Sequence, residues 1–300
     1  MPRKKKRSVL VQDRVPWLFI GPALAFLIVF SIIPILLAFS VSFTDLDFYG
    51  LMNFSNMNFI GLENYFELFK DVEFQQCLVN MLIYAVTGVP LVLVLSFVIA
   101  LLLSKGESKL FEGYRVIYYL PYLTNVVAVA VVFTYLFNSK FGLLNYLLDL
   151  LGLPPVMWLL EPVPAKISVI LLAVWRSLGI NIMIFLAAIK NIPTALFEAA
   201  DIDGASSLRK TLSIVVPSVK FAAFYVSMTS VIIWLQLFEE PFVLTNGGPL
   251  NSTKSVVQFT YEKGFMYNTY GYAAAASVLL FLLILVFTVV QNVMRSKSEE

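Results

Sequence analysis

The chain has 300 residues, of which 59% are hydrophobic and 13% charged, with 21 Lys and Arg against 19 Asp and Glu. Soluble domains carry about 25% charged residues, so this composition points to an integral membrane protein. No histidine is present, which removes HExxH zinc sites, Ser/His/Asp triads and histidine proton relays, and a net charge of +2 gives nucleic acid no footprint.

Residues 1–14 hold six basic side chains and read as a basic cytoplasmic tail. The apolar run Val15–Phe43 behind them is far longer than the ~7–15-residue core of a signal peptide, so it reads as a retained first span. Trp17 suits an interface, and Pro22 and Pro34 are expected to kink or tilt the run. Residues 15–76 combine this span with an external segment, because Thr44–Gln76 is aromatic and acidic. Within it GLENYFELFK, Gly61–Lys70, sets Leu62, Tyr65, Phe66 and Phe69 on one face of a short surface helix.

Residues 77–294 read as a core with five further spans. Each must cross ~30 Å of hydrocarbon at ~1.5 Å per residue. They are expected at Leu78–Leu103, interrupted by Gly88 and Pro90, and at Val116–Phe137, Ile167–Ile189, Phe221–Leu244 and Tyr272–Val293. Residues 295–300 form a second cytoplasmic tail. The apolar piece Leu143–Leu151 is too short to cross. The single cysteine, Cys77, cannot make an internal disulfide, so packing and lipid must hold the chain together. With the amino terminus inside, fifteen of the 21 basic residues fall on the inner side and five on the outer. Arg176 alone lies in a span, and the bias puts both termini and the loop 191–218 in the cytoplasm.

That loop holds Glu198–Pro217, EAADIDGASSLRKTLSIVVP, the longest stretch of the second half that cannot live in a bilayer. It reads as two short helices. The first runs from Thr194 to a left-handed stop at Gly204, and the second from a cap at Ser206 or Ser207 through Leu208, Leu212 and Val215 to a halt at Pro217. Glu198, Ala199, Ala200, Gly204, Ile214, Val216 and Pro217, at this spacing, resemble the EAA loop of bacterial binding-protein-dependent ABC importer permeases, in which Leu stands at the position of Val216.

A second string, Leu244, Thr245, Gly247, Gly248, Pro249 and Thr253 followed by Phe265, resembles the loop after the fifth span of carbohydrate importers related to the maltose system. Physically it is a rigid turn, readable as a span terminator or as a contact for a binding protein. Gly247–Ser255 is no phosphate-binding loop, for it lacks a glycine directly before the lysine.

The resemblance implies an all-α, polytopic, six-span permease of the type I ABC importer class, in the bacterial cytoplasmic membrane, with no catalytic residue, metal or cofactor of its own. ATP and Mg would belong to two cytoplasmic ATPase subunits docked on Glu198, Ala199, Ala200, Asp203, Gly204, Ala205, Ile214 and Pro217. A second homologous permease chain would complete a heterodimer, and an extracytoplasmic solute-binding protein would deliver an oligosaccharide or related polyol. Carried over by position, the family's pathway residues match Ala173, Arg176, Ser177 and Ile180, and Ile233, Trp234 and Leu237. Spacings of three and four put each set on one helical face. Gln236, Glu240 and Asn181 are further polar candidates nearby.

A charge at the bilayer centre costs ~2.5–3.5 kcal/mol on insertion scales, so Arg176, Glu239 and Glu240 call for a role. Either Arg176 faces inward and pairs with one of these carboxylates or with the solute, or it snorkels and braces the bundle. The rival function is a secondary transporter or channel working without an ATPase, which would want more ionisable residues in its spans. A membrane-embedded enzyme would need a GxSxG elbow or an intramembrane aspartate pair, and neither is present.

Overall fold

The computed structural model describes residues 9–106 and 108–299, so the first eight residues of the expected basic tail lie outside the described part. Among the described residues there is no strand, only an isolated antiparallel bridge between Thr44 and Phe59. Among the described residues four helices are long and apolar enough to cross a membrane, and two bent helix pairs raise the number to six if each pair is one span. The chain divides into two compact units: the described part of Met1–Leu68 with Glu262–Leu279, and Phe69–Tyr261 with Leu280–Glu300.

In the first unit, α1 (Val9–Leu27) and α2 (Ile33–Val41) are joined by a π turn, Ile28–Ile32, in which Ile33 N–H donates to Ile28 O. Pro34 has no N–H to offer Phe30, and the widened turn sits just before it. Pro22, by contrast, is accommodated inside α1 without a break. The most apolar window of this span has no buried residue, which suits a helix facing lipid. After α3 (Phe48–Met52), capped by Asp47, the expected surface helix forms as α4 (Glu63–Lys70). Its inward face is Asn64 and Leu68, four apart, while Leu62, Phe66 and Phe69 are exposed. Asn64 Nδ2 donates to Ser42 O at 2.9 Å and Thr44 O at 2.8 Å, tying α4 to the end of the first span.

The second unit is built around two long helices, α5 (Val72–Ser104) and α9 (Pro162–Lys190). Helix α5 is not interrupted at Gly88 or Pro90 as expected. Gly88 is instead a close-packing site, because a Cβ there would come within 2.0 Å of the Trp234 ring. The third span is not one helix but two, α6 (Lys109–Leu123) and α7 (Val126–Leu136), bent by 100°. Thr124 is extended before the break, and Asn125 caps the new helix by accepting from Val127 N–H at 2.8 Å. Helix α8 (Leu143–Leu150) is the expected short piece.

The loop after α9 forms α10 (Thr194–Ile202), α11 (Ser207–Lys210), a π turn Thr211–Val215 and α12 (Val216–Ser218). Gly204 has φ +70°, and Ser206 Oγ accepts from Arg209 N–H, so the stop and the cap sit where the residues suggested. The helix does not halt at Pro217, however. Proline is tolerated in a first helical turn, and the helix ends at Ser218 before the chain bends 65° into α13 (Lys220–Leu235). The fifth span is also shorter than expected: α13 stops at Leu235, and Glu239 and Glu240 open a separate helix, α14 (Glu239–Thr245). Then follow α15 (Val256–Tyr261) and α16 (Tyr270–Glu299).

Two apolar clusters hold this unit together. One gathers Tyr84, Val92, Val169 and Leu172 around Trp234, which is 1% exposed. The other packs Ala100, Ile182, Phe185 and Leu186 against Val215, Val219 and Val226.

Candidate functional site

The break between α13 and α14 lets a carboxylate face α9. Arg176 bonds through Nη1 to Glu240 Oε1, with Glu239 Oε2 at 3.5 Å. Glu240 is buried and Arg176 partly so. The guanidinium therefore faces inward and pairs with carboxylates, as in the first of the two roles open to it.

Beside the pair lies a cavity of about 310 Å³ walled by α9 and α13, with Tyr122 from α6 and Glu240 from α14. Ala173, Arg176, Ser177, Ile180, Ile233, Trp234, Leu237 and Glu240 all line it. Gln236 does not. It is exposed at the end of α13, and its Nε2 donates to Ile232 O at 3.2 Å. The cavity also takes in Asn181, Ile184, Tyr225, Thr229 and Ser230. Tyr225, Thr229 and Ile233 follow at spacings of four, so the face was readable in the sequence, whereas Tyr122 arrives only because α6 packs on α9. That approach runs through Gly179, where a Cβ would stand 2.7 Å from Tyr118 O. The wall is thus mainly apolar and aromatic, with hydroxyls and one amide, and with a guanidinium and one carboxylate, Glu240, at one end. Such a surface can stack on a polyhydroxylated solute and hydrogen-bond its hydroxyls.

The loop carries the second candidate site. Glu198, Ala199, Asp203, Gly204 and Pro217 are exposed, and Ala200, Ala205 and Ile214 are half-buried. Ala205 N–H donates to Ala200 O at 2.9 Å and Gly204 N–H to Asp201 O at 3.1 Å, closing α10 through the left-handed glycine. Lys210 pairs with Asp201 across the two short helices. Phe197 and Ile214 lean on the second apolar cluster, so the loop rests on the ends of α5 and α9. Its outer surface is apolar: Ile202 is 88% exposed, Leu208 69% and Leu212 60%. Glu198 makes no side-chain hydrogen bond or ion pair among the described residues.

The glycine turn after α14 is locked rather than loose. Tyr84 Oη donates to Thr253 O at 2.8 Å, Asn80 Nδ2 to Asn251 O and Lys254 O, each at 2.9 Å, and Lys254 pairs with Glu73 at 2.6 Å.

Residues 76–299 match the family described as binding-protein-dependent transport system inner membrane component. The chain belongs to this family. It is therefore a multi-pass inner-membrane permease component of a transport system that works with a binding protein. Among its relatives, the probable ABC transporter permease protein YurN of Bacillus subtilis is 34% identical, over 92% of this chain and 94% of its own. The arabinooligosaccharides transport system permease protein AraP of the same organism is 32% identical, over 92% of this chain and 86% of its own. The permease also shares its fold with a chain of a bacterial alginate ABC transporter in complex with an alginate pentasaccharide-bound periplasmic protein. That likeness has a TM-score of 0.80 at 21% identity and covers 97% of each chain.

Proposed function

We propose that this permease, together with a second homologous permease chain, forms the pathway of an ATP-driven carbohydrate importer. Two cytoplasmic ATPase subunits grip the 194–218 loop, and an extracytoplasmic binding protein delivers the solute from the other side. The observation that carries the reading is the loop: an outer surface rich in exposed apolar side chains, on a segment too polar elsewhere to enter lipid, is built to be covered by another protein. Glu198 is exposed beside it, available to a partner's donor.

ATP binding in the partners draws the two loops together, and the 65° joint at Val219 passes that movement into α13, one wall of the cavity. Carbohydrate as the solute is supported by the name of the relative AraP and by aromatic and hydroxyl side chains lining a cavity of about 310 Å³. The lining sets one guanidinium against one buried carboxylate, so the charge of Arg176 is already matched, which favours an uncharged sugar over an acidic one. Both termini lie in the cytoplasm, in keeping with the basic bias of that side.

The test is co-purification. Tagged permease should bring down an ATPase, and a cysteine at Leu208 should cross-link to it. An ATPase-free assembly that still moves solute would sink the proposal.

A further inference from the structure

The cavity beside Arg176 extends further than the pathway residues carried over by position. Past Ile180 and Ile233 it continues toward the 194–218 loop, lined by Asn181 and Ile184 from α9 and by Thr229 and Tyr225 from α13. Ala173 and Ile184 are eleven residues apart and Tyr225 and Trp234 nine, so at ~1.5 Å per residue the two walls run for ~16 Å and ~13 Å. A single sugar ring is shorter than either wall.

The aromatic surface offered along this length is not Trp234. That indole is 1% exposed, packed where Gly88 leaves room for it. Tyr122 is 46% exposed and Tyr225 50%, and among the described residues neither hydroxyl bonds to protein. Tyr122 lies one turn beyond the contact of Gly179 with Tyr118, toward Arg176, whereas Tyr225 lies at the end nearest the loop. Beside Tyr225, Thr229 Oγ1 donates to Tyr225 O at 2.8 Å and keeps its own lone pairs for a solute hydroxyl. Asn181 Nδ2 donates to Ser177 O at 2.8 Å, which leaves Oδ1 to accept.

We propose that the cavity holds two sugar units in line. One lies by Tyr122 and the pair of Arg176 with Glu240, and the next stacks on the ring of Tyr225, its hydroxyls donating to Thr229 Oγ1 and Asn181 Oδ1. Tyr225 is thereby the specificity-determining residue that selects an oligosaccharide over its single sugar unit. The face of a tyrosine suits the apolar C–H face of a sugar ring, and its hydroxyl reaches the polar edge. This inference rests on the reading of the permease as a carbohydrate importer.

The experiment uses the assembled transporter with its binding protein in proteoliposomes. It is supplied with a mixture of uncharged disaccharides, trisaccharides and their monosaccharide units, and the imported sugars are identified and counted by mass spectrometry. A disaccharide or trisaccharide should enter. Tyr225→Ala should slow its entry about tenfold, the scale of one lost stacking contact, at an unchanged melting temperature. Tyr225→Phe, which keeps the ring, should stay within about twofold of the parent. Tyr146→Ala, at a tyrosine equally exposed but outside the cavity, should leave the rate as it was. A photoactivatable derivative of the imported sugar should mark peptides containing 122 and 225 in the unmutated transporter, a readout independent of any variant. Import of monosaccharides only, a parental rate in Tyr225→Ala, a Tyr225→Phe as slow as Tyr225→Ala, or labelling that misses 225 would each overturn the two-unit arrangement and leave the carbohydrate reading standing. Import of no sugar at all would remove the carbohydrate reading itself, and this inference with it.

Discussion

Arg176 and Glu240 show how a single pair of residues can be necessary without being stabilising. Taking a guanidinium and a carboxylate out of water costs more than most pairs return, but removing only one partner leaves the other charged and stranded. Arg176→Leu strands the buried Glu240 beside Glu239 and should cost about 3–5 kcal/mol, read as a large fall in melting temperature. The double variant Arg176→Leu with Glu240→Leu should recover most of that loss. A double variant no more stable than Arg176→Leu would show that the pair is not the unit involved. Gly88 makes a simpler case. Any side chain at 88 meets the Trp234 ring, so Gly88→Val should cost about 1–3 kcal/mol through overpacking, and pairing it with Trp234→Leu should relieve much of the loss. A Gly88→Val protein of unchanged melting temperature would contradict the packing described.

At the scale of elements, the breaks matter more than the helices. The packing of α6 on α9 brings Tyr122 to the cavity, and the interruption after Leu235 turns Glu240 toward Arg176. In the loop, Gly204 closes α10 at φ +70°, a conformation that costs a residue bearing a Cβ about 1–2 kcal/mol and a β-branched one more. No neighbour lies within 4 Å of a Cβ placed there, so the penalty falls on the loop's own backbone and not on the bundle. Gly204→Val should therefore leave expression and melting temperature close to the parent while solute uptake falls at least tenfold, with Gly204→Ala intermediate. Uptake at the parental rate would argue that the loop's shape is not what a partner reads.

For the whole molecule, orientation is the decisive property. The only cysteine, Cys77, is buried, so the chain offers a quiet background for thiol labelling. Cysteine at Leu208, in the loop, and at Leu250, which is 90% exposed in the glycine turn, should react with a membrane-impermeant maleimide from opposite sides. Intact cells should label Leu250→Cys only, and inverted vesicles Leu208→Cys. Labelling of both from one side would place the loop outside and remove the proposed coupling to an ATPase.

The helical class, the apolar runs, the two-helix loop with its left-handed glycine, and one face each of α9 and α13 were legible in the sequence, because hydropathy and spacings of three and four are local properties. Where a span breaks was not legible. Gly88 and Pro90 looked like an interruption and are none: α5 runs through both, and Trp234 fills the space the glycine leaves. The third and fifth spans looked continuous and are broken, because apolar composition reports burial or lipid contact and not helix direction. Tyr122 entered the cavity, and Gln236 fell outside it, for the same reason. Chemistry written into the order of residues fixed what could cross the membrane and what could not, while the packing of α5, α6, α13 and α14 around α9 alone decided which polar groups meet.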